Sequence, residues 1–195
     1  EDWETADAAT RNTLLAQIDE QCERARNIVR SLLDFARPDS FRRERVPLRP
    51  LFAQTLRFVR GEVPARVEVS FAVPDDIAVA GDPQRLQQAF LNLIKNAVQA
   101  LPGEGRVVIT AVAARIRGET ARSHPPFGGC HLDGDVVDVS IADNGPGIAA
   151  EVLPRIFDPF FTTKDVGRGM GLGLFITHEI VEEHDGCVAV TTGAG

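Results

Sequence analysis

Two asparagines four residues apart are the first residues whose spacing could do chemistry. Asn92 and Asn96 fall in the run from Asp82 to Leu101, where an i, i+4 spacing stacks side chains on one flank of a helix. They sit at the margin of an apolar stripe, where an amide is partly desolvated and needs a partner. Alone, such a pair also suits helix capping or a surface. A carboxylate follows downstream. Asp143 ends the alternating run Val137–Asp143 and shares a face with Val137, Val139 and Ile141, a costly place for a charge unless donors meet it. Asn144-Gly145-Pro146-Gly147-Ile148 comes next, and its two glycines let a ligand approach the backbone closely. A third element, Gly167 to Leu174, has glycine at four alternate positions and runs into a helix. Unobstructed amides at a helix N-terminus form a phosphate cradle. Between the last two elements, Phe157, Phe160 and Phe161 anchor an otherwise loose segment, and Lys164 is a candidate phosphate contact.

These residues need elements to hold them. Asp82 is a good N-cap and Pro83 suits the first helical position. Leu86, Ala89, Phe90, Leu93, Ala97 and Leu101 then draw one stripe toward a core. Upstream, residues 9 to 36 form a long helix with a heptad seam of Leu15, Ile18, Cys22, Ala25, Val29, Leu32 and Ala36, ended by Pro38. One helix with such a seam must dock on something. The polar segment that follows reads as a hinge, which favours self-association over packing within the chain. From residue 46 the pattern turns mixed. A helix between Arg49 and Gly61 presents Leu51, Leu56, Phe58 and Val59. Strands are expected at 67–73, 77–80, 106–114 and 136–142. Residues 117–135, rich in Gly and Pro, form a long mobile surface loop with no assigned chemistry. The chain closes with a helix over 172–184 and a strand from Cys187 to Thr191.

Composition narrows the function classes. The chain has 195 residues, 44% hydrophobic and 25% charged, which suits one ordinary domain plus an appendage. Twenty-one basic against 28 acidic side chains give a net charge of -7, arguing against a nucleic-acid binder. No apolar run approaches the length of a membrane span, and Glu1-Asp2-Trp3-Glu4 is unlike a signal peptide. Cys22, Cys130 and Cys187 are odd in number and widely spaced, which suits a reducing compartment better than a disulfide framework. Cys130 beside His131, and His184 three before Cys187, fit no paired zinc motif.

Together these residues resemble the bacterial sensor histidine kinases of the GHKL ATP-binding superfamily. Asn92-Leu93-Ile94-Lys95-Asn96-Ala97 resembles the N box, Asp143-Asn144-Gly145-Pro146-Gly147 the G1 box, Phe157-Asp158-Pro159-Phe160-Phe161 the F box and Gly169-Met170-Gly171-Leu172-Gly173 the G2 box. The stretch from Glu23 to Arg37 is similar to the second helix of the dimerisation and phosphotransfer domain, particularly of nitrogen-regulatory-type kinases. The resemblance implies an α/β Bergerat fold, a two-layer sandwich with a mixed sheet covered by helices on one face, preceded by one long helix. It divides the chain into residues 1–37 (that helix), 38–46 (a linker) and 47–195 (the catalytic domain, lacking the family's last strand and so a fragment cut at both ends).

The cofactors implied are ATP and Mg²⁺. Asp143 would accept from the adenine amino group, Asn96 would offer oxygen to Mg²⁺, and Asn92 would support the same region. Gly145, Gly147, Ile148 and Phe160 would line the nucleotide site. Residues 149–171 would form a lid, with Lys164, Arg168, Gly169, Met170, Gly171, Leu172 and Gly173 closing on the phosphates. Gyrase-like and mismatch-repair ATPases carry a glutamate base where this chain has Asn92, and an imidazole acceptor needs no such base. The family's acceptor motif is not found; His124, His131, His178 and His184 are not acceptors, so the fragment is not expected to phosphorylate itself. The implied partners are a response-regulator receiver domain and a second copy of the parent through the N-terminal helix, without nucleic acid or a membrane segment in this chain. The implied location is cytoplasmic. A nucleotide-binding module without kinase activity and an ATP-hydrolysing GHKL enzyme are the alternatives, opposed by the intact boxes and by Asn92 respectively.

Overall fold

The computed structural model describes residues 7, 9–19, 21–22, 26, 41–116, 134–164 and 169–193. The expectations for most of residues 23–40, for the loop over 117–133 and for Arg168 lie outside them. The chain divides into two compact units, one of residues 1–39 with Thr163–Met170 and a larger one of residues 40–162 and 171–195.

In the smaller unit, Asp7 starts the first helix. Its Oδ1 accepts the Thr10 N–H at 2.6 Å and its carbonyl accepts from Arg11 at 3.0 Å, which satisfies amides that a helix start otherwise leaves open. The same bonds, the Thr10 amide foremost, hold the Asp7 carboxyl below its ordinary pKa. This helix, α1, is helical at residues 9–19, 21–22 and 26. Its described seam positions are open: Leu15 and Ile18 are 52% and 56% exposed, and Leu14, Gln17, Ile18, Gln21 and Cys22 line a shallow apolar groove.

The larger unit runs β1 (Glu44–Pro47), α2 (Leu48–Val59), β2 (Arg66–Ala72), β3 (Ala78–Gly81), α3 (Pro83–Ala100), β4 (Glu104–Ile116), β5 (Gly134–Asp143), a 3-10 turn (Leu153–Arg155) and α4 (Gly173–Glu183). The main sheet is mixed, in the order β2-β4-β5, with β2 parallel and β5 antiparallel to the central β4. β1 and β3 form a separate antiparallel pair. Because strand side chains alternate, the register sorts residues into rows. Val69, Val107 and Asp143 form one row, and Phe71, Ile109 and Ile141 the next. Val107 and Ile109 are fully buried, so these rows face the helices. Val112, on the opposite face, is 59% exposed.

α3 is the central strut, packed on α2, α4, β4 and β5. Asp82 caps it as the sequence predicts, its Oδ1 accepting from Gln84 N–H at 2.9 Å and Arg85 N–H at 3.2 Å. Its buried stripe is Leu86, Ala89, Phe90, Ile94, Ala97 and Val98. Leu93 is only half-buried, because α3 lies between two helices and a sheet and its apolar face is rotated by one residue toward Ile94. Phe90 stacks on Phe52 of α2 at 4.4 Å between ring centroids. Phe58, expected inward, is 61% exposed; Phe52 and Thr55 fill the inner face of α2 instead. Thr55 satisfies its hydroxyl by donating to the Leu51 carbonyl at 2.8 Å.

Two further expectations fail. Residues 188–191 alternate in exposure, but 187–191 form no strand. Alternation marks a half-buried extended segment, and a strand also needs a free ladder edge. Cys187 is disulfide-bonded, against the expectation of free thiols, while Cys22 is a free, exposed one.

Candidate functional site

Asn92 and Asn96 share the flank of α3 that faces the start of α4. A Cβ placed on Gly173, the first residue of α4, would stand 3.8 Å from Asn92 Cβ and 3.9 Å from Asn96 Nδ2. A Cβ would meet both amides there in ordinary van der Waals contact, so the start of α4 lies beside them. Asn92 Nδ2 donates to the Gly173 carbonyl at 3.2 Å, and the buried Thr177 hydroxyl donates to the same oxygen at 2.8 Å. The half-buried Asn92 thereby meets its need for a partner, and α4 is tied to α3 at its first turn. No side chain caps this end of α4, which leaves the helix start to an anion.

Asp143 ends β5 opposite Val107, on the helix-facing side, and is exposed there. Its Oδ1 accepts the Gly145 N–H at 2.9 Å, a turn closed by the side chain itself. A Cβ on Gly145 would come within 2.8 Å of that oxygen and 3.3 Å of the Ala100 carbonyl, so the loop passes tightly between Asp143 and the end of α3. Asn144 extends the ladder beyond the strand. Its side-chain oxygen accepts from Arg106 N–H at 2.6 Å, and its own N–H donates to the Arg106 carbonyl at 3.3 Å. Gly147 has φ 75°, and a Cβ there would lie 2.7 Å from the Gly193 carbonyl oxygen and 2.9 Å from Thr192 Oγ1. The Ile148 N–H donates to that hydroxyl at 2.7 Å.

The segment after this loop is held differently. Ile156 and Phe157 are buried, the Phe157 ring lying 5.7 Å from that of His178 on α4. Arg155 stacks over Phe161 at 4.5 Å. Phe160 is 63% exposed with φ 67°, a left-handed conformation that costs an ordinary residue on the order of 1–2 kcal/mol. A Cβ on Gly171, itself at φ 66°, would overlap the backbone of Phe160 and Phe161, so this segment is pressed against the approach to α4.

Of the residues singled out by sequence, Asn92, Asn96, Asp143, Gly145, Gly147, Ile148, Phe160, Gly171, Leu172 and Gly173 belong to the larger unit. Within it the amide flank gathers at Gly173, and the Asp143 loop closes on the C-terminal end of α3 at Ala100, one turn beyond Asn96. Lys164, Gly169 and Met170 belong to the smaller unit; burial lowers the Lys164 pKa. Arg168 lies outside the described residues. Sequence reasoning missed Asn144, Thr177 and Thr192, which fix the loops and helix that carry the others. Asn144 directly after a strand-ending Asp143 is the one signal that pointed there.

The chain is similar to known proteins along most of its length. Residues 81–195 match the model of the histidine kinase-, DNA gyrase B-, and HSP90-like ATPases. Sensor histidine kinase ZraS of Escherichia coli strain K12 is 33% identical over 184 residues, which covers 93% of this chain and 35% of ZraS. The chain thus spans about a third of the length of that relative. The catalytic domain of histidine kinase ThkA shares the fold with a TM-score of 0.55 at 27% identity, covering 74% of this chain and 82% of that one. ThkA in complex with response regulator TrrA gives 0.65 at 23% identity over 94% and 48%. Full-length ShkA in complex with AMPPNP gives 0.63 at 26% identity over 92% and 35%. A mixed sheet under three helices, an amide flank facing a glycine start of α4 and a carboxylate at the end of β5 agree with that match, and the chain belongs to the family of histidine kinase-, DNA gyrase B-, and HSP90-like ATPases.

Proposed function

We propose that residues 47–195 bind ATP as the catalytic domain of a sensor histidine kinase and transfer its γ-phosphate to a histidine outside this chain, for relay to a response-regulator aspartate. The hydrogen bond from Asn92 to the Gly173 carbonyl, at a helix start that lies beside Asn96, carries this reading. It sets a helix start without a side-chain cap beside two amides, which suits polyphosphate. Asp143 accepts the adenine amino group, and Gly145 and Gly147 give the base close access to backbone. Ile148 and Phe160 border the base, and Gly171 and Leu172 lead into the phosphate-binding helix start. Lys164, Arg168, Gly169 and Met170 complete the lid.

The donor set fits Mg²⁺. Asn96 offers a neutral, hard oxygen to a cation that keeps most of its waters, and Mg²⁺ so held would neutralise charge on the phosphates. The chain's own groups position the nucleotide and offer it donors. Asn92 cannot take a proton, so it activates neither water nor a hydroxyl, whereas a neutral imidazole is already nucleophilic near pH 7. Residues 1–37 would be the second helix of the parent's dimerisation hairpin, joined by a linker over 38–46. The open seam at Leu15 and Ile18 suits a helix of a second copy. The receiver-domain partner follows the ThkA–TrrA complex, and we assign this part of the parent to the cytoplasmic side, where ATP is available.

Radiolabelled ATP tests the reading. The parent chain with its upstream helix should acquire acid-labile, base-stable phosphate, and the present chain should bind ATP without acquiring label. Acid-stable label or rapid ATP hydrolysis by the present chain would overturn it.

A further inference from the structure

The end of α4 remote from Gly173 carries a cluster that nucleotide binding does not use. His184 follows the last turn of α4, and its Nε2 accepts the Asp82 N–H at 3.0 Å, while its Nδ1 lies 2.6 Å from the Ile180 carbonyl. An amide can only donate, so Nε2 carries the lone pair and Nδ1 the proton that Ile180 accepts. The imidazole meets the Phe41 ring edge-on, with centroids 4.7 Å apart. Gly81 lies flat against the ring, where a Cβ would overlap it.

The neighbouring carboxylate ties in the same three segments. Asp82 Oδ1 caps α3, and its Oδ2 accepts the Arg42 N–H at 3.2 Å. Burial alone would raise the Asp82 pKa, but the amides of Arg85, Arg42 and Gln84, with His184 nearby, outweigh it and hold the carboxyl below its ordinary value. Arg43 pairs with Asp185 at 2.9 Å, an exposed contact worth little by itself. The ring and the carboxylate therefore join residues 41–43, the start of α3 and the end of α4.

α4 is 11 residues long, a rigid rod of roughly 16 Å. At its other end the Gly173 carbonyl is held by Asn92. We propose that His184 and Phe41 are positioning residues that lock the segment entering the larger unit onto α4, so that the placement of that segment and the geometry of the Asn92–Asn96 flank are set together. The second half of this inference rests on the nucleotide-binding reading, and the first half does not.

The test uses this chain with His184→Ala, His184→Gln and Phe41→Ala. Hydrogen exchange at the amides of residues 42–46 and of Asp82 reports the lock, and titration with a non-hydrolysable ATP analogue reports the flank. In His184→Ala and Phe41→Ala, exchange at these amides should rise about tenfold, and analogue affinity should fall roughly three- to tenfold. His184→Gln should restore both, since its amide oxygen can accept from Asp82 while its NH₂ donates to Ile180. Unchanged exchange in folded His184→Ala or Phe41→Ala would overturn the lock. Raised exchange with unchanged affinity, or failure of His184→Gln to restore either, would overturn the positioning role. If the unmodified chain bound no analogue, the nucleotide reading and the coupling would both fall, while the exchange readout would still decide the lock.

Discussion

The floor of the site and the segment beside it are built by opposite means. On the floor, Asp143 ends a strand laddered to β4, Asn144 prolongs that ladder through its side chain, and Asn92 bridges α3 to α4. These bonds join parts of the chain far apart in sequence. Over residues 149–161, the backbone bonds run back only three or four residues, from Val152 to Ala149, Arg155 to Val152 and Phe161 to Asp158. Among the described residues, the buried Ile156 and Phe157 and the close passage of Gly171 attach this segment to the rest. A segment that bonds mainly to itself can move as a piece without breaking the sheet. The proposed site would thus pair fixed groups for recognition with a cover able to open and close.

Deleting core from each side should show the largest difference. Ile94→Ala on the fully buried face of α3 should lower global stability by about 2–5 kcal/mol in urea unfolding. Phe157→Ala removes a buried ring but should cost clearly less, because its segment opens without the core. Equal losses would break the distinction between floor and cover.

Nucleotide affinity should separate them next. Asp143→Asn should weaken a non-hydrolysable ATP analogue by about 1–3 kcal/mol through loss of a charge-assisted bond, and Asn96→Ala should chiefly remove its Mg²⁺ dependence, both read by calorimetry. Gly171→Ala strains a backbone at φ 66° and collides with Phe160 and Phe161. It should displace the cover and reduce affinity while the unfolding midpoint stays close to the parent value. A midpoint loss as large as that of Ile94→Ala would show that the cover is part of the floor.

The smallest effect concerns the cap beneath the floor. Asp82→Ala should cost about 1 kcal/mol by removing the N-cap of α3. Because the folded-state pKa of Asp82 lies below its ordinary value of 3.8, the carboxylate's contribution is complete above that value and is lost as pH falls through the folded pKa. The stability gap between the two proteins should therefore be constant at neutral pH and narrow in acid below about pH 3.8. A gap that widens in acid would contradict the assignment.

What the sequence carried depends on how local each signal is. The cap and proline at Asp82 and Pro83 are decided within four residues, and the structure keeps them. The inward row at Val137, Val139 and Ile141 follows from period-two alternation alone. The rotation of α3 toward Ile94 was not legible, since Leu93 and Ile94 are equally apolar and only the neighbours choose between them. Cys187 to Thr191 has the period of a strand without a ladder, because periodicity reports burial and not a pairing partner. The role of Thr192 was invisible for a similar reason, since its hydroxyl serves the Ile148 amide 44 residues away, whereas Thr177 bonds the Gly173 carbonyl one turn back in its own helix.

The β4–β5 ladder has a practical consequence. It runs from the Val107–Asp143 pair to the Ile116–Gly134 pair, about nine steps and roughly 30 Å of extended chain. A fluorescent protein spliced into residues 117–133 would therefore be attached at the far end of a two-stranded arm whose near end carries Asp143, the carboxylate we propose for adenine. That arrangement would turn the hairpin into the lever of an optical nucleotide sensor without placing bulk beside the pocket.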